Sequence, residues 1–153
     1  MNQGKLFLEL TEQDVKNIFN VNTFAHFWLC REFLPDMIHE NKGHIVNVSS
    51  VCGLVGGYKI TDYCSSKFAT TGFTESLRTE LRVLNSKNKI IVSGVYPLHI
   101  KTKMFNGADI TCLKWLNMSM EPEFAAATIV HGVLAEKESI FVPRIVYVFA
   151  CAK

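Results

Sequence analysis

The sequence predicts an α/β fold, a parallel sheet covered by helices. Two observations carry that expectation. Helix and strand patterns alternate three times along the 153 residues. Two of the strand patterns, His44–Ser49 and Ile90–Val95, are mostly apolar on both faces, as strands buried between helical layers are. The right-handed crossover rule then fixes the hand of each strand–helix–strand unit.

The elements follow in order. Thr11 can cap a helix, and Asp14, three residues on, suits the positive end of its dipole. Val15, Ile18, Phe19, Ala25, Leu29 and Phe33 recur at a helical period, and Pro35 should kink or end the helix. Asn41-Lys42-Gly43 makes a turn, and the β-branched run from His44 to Ser49 is the first strand. Gly53, Gly56 and Gly57 mark a loop. A long helix follows from Thr61 to Leu84, closed by Asn85-Ser86-Lys87-Asn88. The second strand, Ile90–Val95, is ended by Pro97, and a loop rich in Thr, Lys and Met covers 98–118. Glu121-Pro122-Glu123 opens a third helix, with Pro near its first position and acids in its first turn. Ile140-Phe141-Val142 is the third strand. No repeat, low-complexity tract or interdomain linker appears, so residues 1–153 form one domain.

Composition narrows the class. Hydrophobic residues make up 48% and charged residues 20%, a globular balance with enough chain for one core. The net charge of +2 is spread without a basic stripe, so there is no electrostatic case for nucleic acid. Five cysteines, at 30, 52, 64, 112 and 151, include no Cys-x-x-Cys spacing, and reduced, buried thiols are expected. The start shows no apolar run with a cleavage site, so no secretory signal is expected. Ile145–Ala152 is far shorter than the roughly 20 residues of a spanning helix. It is expected as a helix packed on the core, with a membrane-facing segment as the alternative. His26 and Cys30 share a helix face but lack further ligands, so packing is expected and no metal site. His99 is expected in solvent, with a ligand contact as the alternative. The aromatic residues of the first helix are expected in the core or a subunit interface.

The chemistry concentrates around Tyr63 and Lys67, one helical turn apart on one face. A lysine cation near a phenol favours the phenolate and can lower its pKa by about 1–3 units from near ~10. Such a tyrosine exchanges protons with an alcohol or carbonyl near neutral pH. Alone, the pair is also what chance places on helices. Ser50 lies thirteen residues before Tyr63 at the C-terminal end of a strand, where open α/β sheets bind ligands. Ser49 is its rival. Strand alternation points the two to opposite faces, so only one can serve. Asn22 sits on the apolar stripe of the first helix, where a buried amide must find partners. It reads equally as a structural asparagine bonded to backbone.

Together, Val21-Asn22, Gly43-His44-Ile45-Val46-Asn47-Val48-Ser49-Ser50, Tyr63-Cys64-Ser65-Ser66-Lys67, and Pro97 with Thr102 resemble the short-chain dehydrogenase/reductase family. The resemblance runs from about Leu10 to Pro143. Ala25-His26-Phe27-Trp28, Phe33-Leu34-Pro35, Asp62-Tyr63-Cys64 and Thr102-Lys103-Met104-Phe105 look most like its epidermal-type retinol dehydrogenase and 17-beta-hydroxysteroid dehydrogenase branch. The resemblance implies a Rossmann-like sheet whose first, cofactor-binding half is absent, so that 1–153 is the catalytic half of a domain. With that half absent, the Ser50 strand becomes an exposed apolar edge. The resemblance also implies an NAD- or NADP-dependent oxidoreductase interconverting an alcohol and a carbonyl on a lipophilic substrate of the retinol or sterol type. A catalytically inactive truncated form or interaction module is the alternative.

By the same resemblance, Tyr63 is the general acid/base, and Lys67 lowers its pKa and binds the nicotinamide ribose. Ser50 orients the substrate oxygen, and Asn22 supports a water relay to Lys67. Pro97 and Thr102 touch the carboxamide end of the cofactor. The family further implies a homodimer, with endoplasmic reticulum membrane or lipid droplet as location and the cytoplasm otherwise. Two departures stand out. Pro97-Leu98 replaces the usual Pro-Gly, altering backbone freedom. No Gly-x-x-x-Gly-x-Gly, no ribose-selecting charge and no Asn-Asn-Ala-Gly occurs. The Gly53-Leu54-Val55-Gly56-Gly57 cluster has the wrong spacing for a phosphate loop and is expected to shape the substrate loop.

Overall fold

Thr11 opens the first helix as its side chain predicts. Its Oγ1 accepts from the Asp14 amide at 3.1 Å, and Asp14 Oδ2 accepts in turn from the Thr11 amide at 3.1 Å. Lys5 Nζ completes the cap at 2.8 Å from Asp14 Oδ2 and, with these backbone bonds, holds the Asp14 carboxyl down to about 2. The computed structural model describes residues 4–84, 89–102 and 119–148. Helix α1 spans Glu12–Phe19, a π-helical turn follows at Asn20–Phe24, and α2 continues over Ala25–His39. The expected end at Pro35 is displaced: the helix runs on to His39 with the proline inside it. Pro35 lacks only the amide that would reach back to the preceding turn, and the chain keeps its helical course for four more residues. The irregularity sits instead at Asn20–Phe24, where an extra residue widens the turn around Asn22.

Strand β1 spans Gly43–Val48, α3 Thr61–Leu84, β2 Ile90–Pro97, α4 Pro122–Leu134 and β3 Ser139–Val142. Pro122 opens α4 at its first turn, where a missing amide costs no helical bond. The three strands pair in parallel in the order β1-β2-β3, flanked by helices. In register, Val48 lies opposite Val95 and Pro97 opposite Val142, so β1 and β2 end close together. The Ser49 amide donates to the Val95 carbonyl at 2.9 Å. Parallel-ladder alternation therefore turns the Val48 carbonyl to the other side, the open edge of β1.

The core joins Ile18, Val51, Ile60, Tyr63, Val95, Tyr96, Ile140, Val142 and Val146, all buried. Arg78 pins α3 to the sheet: Nε donates to the Val92 carbonyl at 2.8 Å and a terminal nitrogen to the Glu138 carbonyl at 2.6 Å. Arg82 pairs with the Glu138 carboxylate beside it. Of the aromatic residues of the first helix, Phe19 packs against the core, while the others stay largely outside it. Trp28 is 63% exposed and Phe24, Phe27 and Phe33 are also open, although the Phe27 ring lies 4.1 Å from the Phe73 ring of α3. The expected turn at 85–88 and most of the loop at 98–118 lie outside the described residues. The Ile145–Ala152 run begins as a single turn, Arg144–Val146, with Val146 buried; residues beyond 148 are likewise outside. Among the described residues no helix is long and apolar enough to cross a membrane.

Candidate active site

The C-terminal ends of β1 and β2 and the first turns of α3 enclose a cavity of about 220 Å³. Ser50, Tyr63, Lys67, Pro97 and Thr102 all line it, so five of the six predicted site residues come together. Val48, Val51, Ile60, Leu98 and Ile100 make its walls apolar, and His99 joins the lining rather than standing in solvent. A larger groove of about 890 Å³ lies between α4 and β3 and contains none of these residues.

Ser49 and Ser50, just beyond β1, both line the cavity, but their hydroxyls take different partners. Ser49 turns toward α3, its hydroxyl bonded to the Lys67 carbonyl at 3.0 Å and to Thr71 Oγ1 at 2.9 Å. Ser50 turns toward the cavity. Its Oγ accepts from the Cys52 amide at 3.1 Å, and its own proton can reach the Tyr63 phenol or, more weakly, the Pro97 carbonyl at 3.4 Å. The following turn, Val51–Gly53, packs tightly on α3. A β-carbon at Gly53 would lie 2.4 Å from Ser49 Oγ and 2.7 Å from the Lys67 carbonyl oxygen. Gly53 therefore sets the close approach of this loop to the helix that carries Tyr63. Leu98, where the resemblance leads one to expect glycine, has no left-handed backbone and is buried in the core with its amide on the Val142 carbonyl.

Tyr63 is 5% exposed. Burial raises its phenol to about 12, and the Ser50 hydrogen bond only partly opposes that rise. The lowered phenol expected from Lys67 is thus absent in this state. Lys67 Nζ stands 5.8 Å from the Tyr63 ring centroid and donates to the Val48 carbonyl at 2.9 Å. Burial also depresses the lysine, to about 8. Desolvation, which disfavours both charged forms, outweighs the attraction between them at this separation. The site as built holds a protonated phenol and a readily neutralised lysine.

Asn22 does not line the cavity. It lies buried behind α3, where Nδ2 donates to Ser66 Oγ at 3.1 Å and its carbonyl accepts from Thr70 Oγ1 at 2.6 Å. Ser66 Oγ in turn donates to the Tyr63 carbonyl at 2.7 Å, and Thr23 Oγ1 donates to the Ser66 carbonyl at 2.9 Å. The π-helical turn is thereby clamped to the backbone of the tyrosine-bearing turn. Thr23, Ser66 and Thr70 are absent from the sequence expectation. The signal for Ser66 and Thr70 was the small hydroxyl stripe Ser66–Thr70–Thr74 at helical spacing. His26, one turn beyond Asn22, bonds through Nδ1 to Asn47 Oδ1 at 3.0 Å, and burial lowers its pKa. Among the described residues no group of three or more His, Cys, Asp or Glu side chains could hold a metal.

Comparison with known proteins places this geometry. The family model described as short chain dehydrogenase matches residues 1–111. Bovine short-chain dehydrogenase/reductase family 16C member 6 is 41% identical over 145 residues, covering 95% of this chain and 45% of the relative. Human epidermal retinol dehydrogenase 2 is 40% identical, covering 94% and 46%. Human 17-beta-hydroxysteroid dehydrogenase 13 is 34% identical, covering 93% and 46%. The chain spans less than half the length of these relatives. A crystal structure of a short chain dehydrogenase/reductase from Burkholderia phymatum in complex with NAD superposes with a TM-score of 0.81 at 21% identity, covering 97% of this chain and 60% of that one. A short-chain dehydrogenase from Sphingobium yanoikuyae in complex with NADPH gives 0.80 at 24%, covering 95% and 54%. At these identities the superpositions establish the shared fold.

Proposed function

The chain belongs to the short-chain dehydrogenase family, and on that premise we propose that it is the catalytic half of an NAD(P)-dependent oxidoreductase interconverting an alcohol and a carbonyl on a lipophilic substrate. The observation that carries the reading is the convergence of Ser50, Tyr63 and Lys67 on one apolar-walled cavity at the strand ends. The names of the relatives, retinol and hydroxysteroid dehydrogenases, support a retinol- or sterol-like substrate, as do the cavity walls of Val48, Val51, Ile60, Leu98 and Ile100.

The residues present fit the nicotinamide end of the cofactor. Lys67 Nζ sits on the open edge of β1, where it can exchange the Val48 carbonyl for a ribose hydroxyl, while Pro97 and Thr102 line the same cavity. The bound cofactor supplies the hydride. Every other part falls to this chain. Ser50 Oγ, fixed by the Cys52 amide, donates a hydrogen bond to the substrate oxygen. Tyr63, protonated in this state, gives its proton to a carbonyl oxygen as that oxygen gains charge. The resulting phenolate is stabilised by Ser50 and by the Lys67 cation, and in the reverse direction it takes the alcohol proton. Asn22 acts at a distance, holding the Tyr63 turn through Ser66. The pyrophosphate end of the cofactor is proposed to rest on the cofactor-binding half of the domain, beyond these residues, with homodimerisation and membrane association as further family expectations.

The test is turnover of retinol or a sterol by a complete version of the enzyme carrying this sequence. Turnover is expected; a folded enzyme with all four residues intact and none would overturn the reading. A second reading, an inactive module that binds no cofactor, is favoured by the open edge of β1. Calorimetric titration of this chain with NADH or NADPH separates the two: saturable micromolar binding counts decisively against the module.

A further inference from the structure

The groove of about 890 Å³ between α4 and β3 shares no lining residue with the catalytic cavity. Residue sizes along α4 explain its shape. At Gly132 the helix touches the sheet: a β-carbon there would lie 2.8 Å from Ile140 Cγ1. At Ala127 the helix presents a single methyl group, so the space beside it stays open. The facing wall is aromatic. Phe141 of β3 stacks on Tyr96 with 5.1 Å between centroids and meets Tyr147 edge-on at 5.5 Å. Phe124 and Tyr147, also in the lining, are 55% and 57% exposed. Such contiguous apolar surface marks a binding groove.

The charges that line the groove have one sign. Lys137 stands just before β3 and Arg144 just after it, and α4 adds the His131 imidazole. Among the described residues no carboxylate lines the groove, and no acid pairs with Lys137 or Arg144. The Glu138 carboxylate, beside Lys137 in sequence, pairs instead with Arg78 and Arg82 of α3. The two cations are therefore available to an anion.

We propose that this groove binds a long-chain carboxylate, with its acyl chain along the apolar wall and its head on the cations that flank β3. Each part of the ligand answers a feature. Small-molecule sites occupy roughly 300–1,000 Å³ and join an apolar lining to a few polar groups, and this groove does both. The acyl chain takes the wall of Phe124, Ala127, Phe141 and Tyr147 out of water. The carboxylate makes charge-assisted hydrogen bonds to Lys137 or Arg144, which a neutral or cationic amphiphile forgoes. A single chain also fits better than a lipid surface. A flat bilayer reaches the exposed Phe124 and Tyr147, whereas Gly132 and Ile140 at the base of the lining are buried.

The experiment titrates the chain by calorimetry with two probes of equal chain length, dodecanoate and dodecyltrimethylammonium, both below micelle formation. Saturable binding of dodecanoate is expected, with the cation roughly tenfold weaker or worse, as the loss of a charged contact implies. The double variant Lys137→Glu/Arg144→Glu should invert that preference, a gain of cation binding that a misfolded chain would not show. Ala127→Trp fills the groove from an exposed helix position and should abolish binding of both probes while the circular dichroism spectrum stays unchanged. Equal affinity for the two probes, or dodecanoate binding unchanged in either variant, would overturn the proposal. So would two other occupants: retention on phosphatidylserine vesicles without dodecanoate binding, or a dimer seen by sedimentation that Ala127→Trp breaks while dodecanoate does not bind. The titration needs neither cofactor nor turnover, so its failure leaves the dehydrogenase reading standing.

Discussion

Gly53→Ala tests how the loop after β1 is seated. The added β-carbon would lie 2.4 Å from Ser49 Oγ, 2.6 Å from Thr71 Oγ1 and 2.7 Å from the Lys67 carbonyl oxygen. Ordinary contact begins near 3.4 Å, so the backbone oxygen alone demands a retreat of 3.4 − 2.7 = 0.7 Å. None of the three yields cheaply. Ser49 Oγ is buried and already bonded to both Lys67 and Thr71, and the Lys67 carbonyl belongs to α3. The loop must therefore back away from the helix. Overpacking of this kind costs about 1–3 kcal/mol, and about 2–4 °C of Tm per kcal/mol for a chain of this size. A Tm loss of roughly 2–12 °C is expected in a thermal melt followed by circular dichroism. The same displacement carries Ser50, held by the Cys52 amide, away from Tyr63. In a complete enzyme a misplacement approaching 1 Å should lower kcat by up to roughly 100-fold. A variant with wild-type Tm and wild-type turnover would refute the packing argument.

Thr11→Ala removes the α1 cap and should cost about 1 kcal/mol, read as a shift in urea midpoint; an unchanged midpoint contradicts it. Arg78→Ala removes two charged hydrogen bonds between α3 and the sheet and should cost about 1.5–3 kcal/mol, measured the same way. Lys67 binds its proton less tightly when folded, about 8 against an ordinary value near ~10.4. Over that window the unfolded chain holds more protons, so Lys67 makes stability rise with pH. Tyr63 has the opposite sign: its phenol, raised to about 12 from near ~10, makes stability fall with pH across that range. Denaturation from pH 8 to 12 on wild type, Lys67→Met and Tyr63→Phe resolves both slopes, and each should vanish in its own variant.

Much of the architecture was legible because it rests on local signals. Thr11 with Asp14 located the first helix start to the residue, and Thr61 to Leu84 matched α3 at both ends. The β-branched runs located all three strands. Of the two readings of Pro35, a helix end is excluded, because proline near a helix end removes one amide without forcing a stop. The hydroxyls of Ser49 and Ser50 take different partners, yet both residues line the cavity, so alternation alone does not divide them. Asn22 stood out as a polar residue on an apolar stripe, yet its partners Ser66 and Thr70 lie more than forty residues away and had no sequence mark tying them to it. The pKa of Tyr63 went astray because spacing shows the lysine one turn away and says nothing of burial, which dominates both groups.

The central claim is that Tyr63 is the proton-transferring group of an alcohol–carbonyl oxidoreductase. Tyr63→Phe in a complete enzyme tests it most directly, because the change removes one hydroxyl and keeps the ring in the buried cluster. Turnover should be abolished while NADH or NADPH binding, followed by calorimetry, stays within a few-fold of wild type. Turnover equal to wild type would contradict the account.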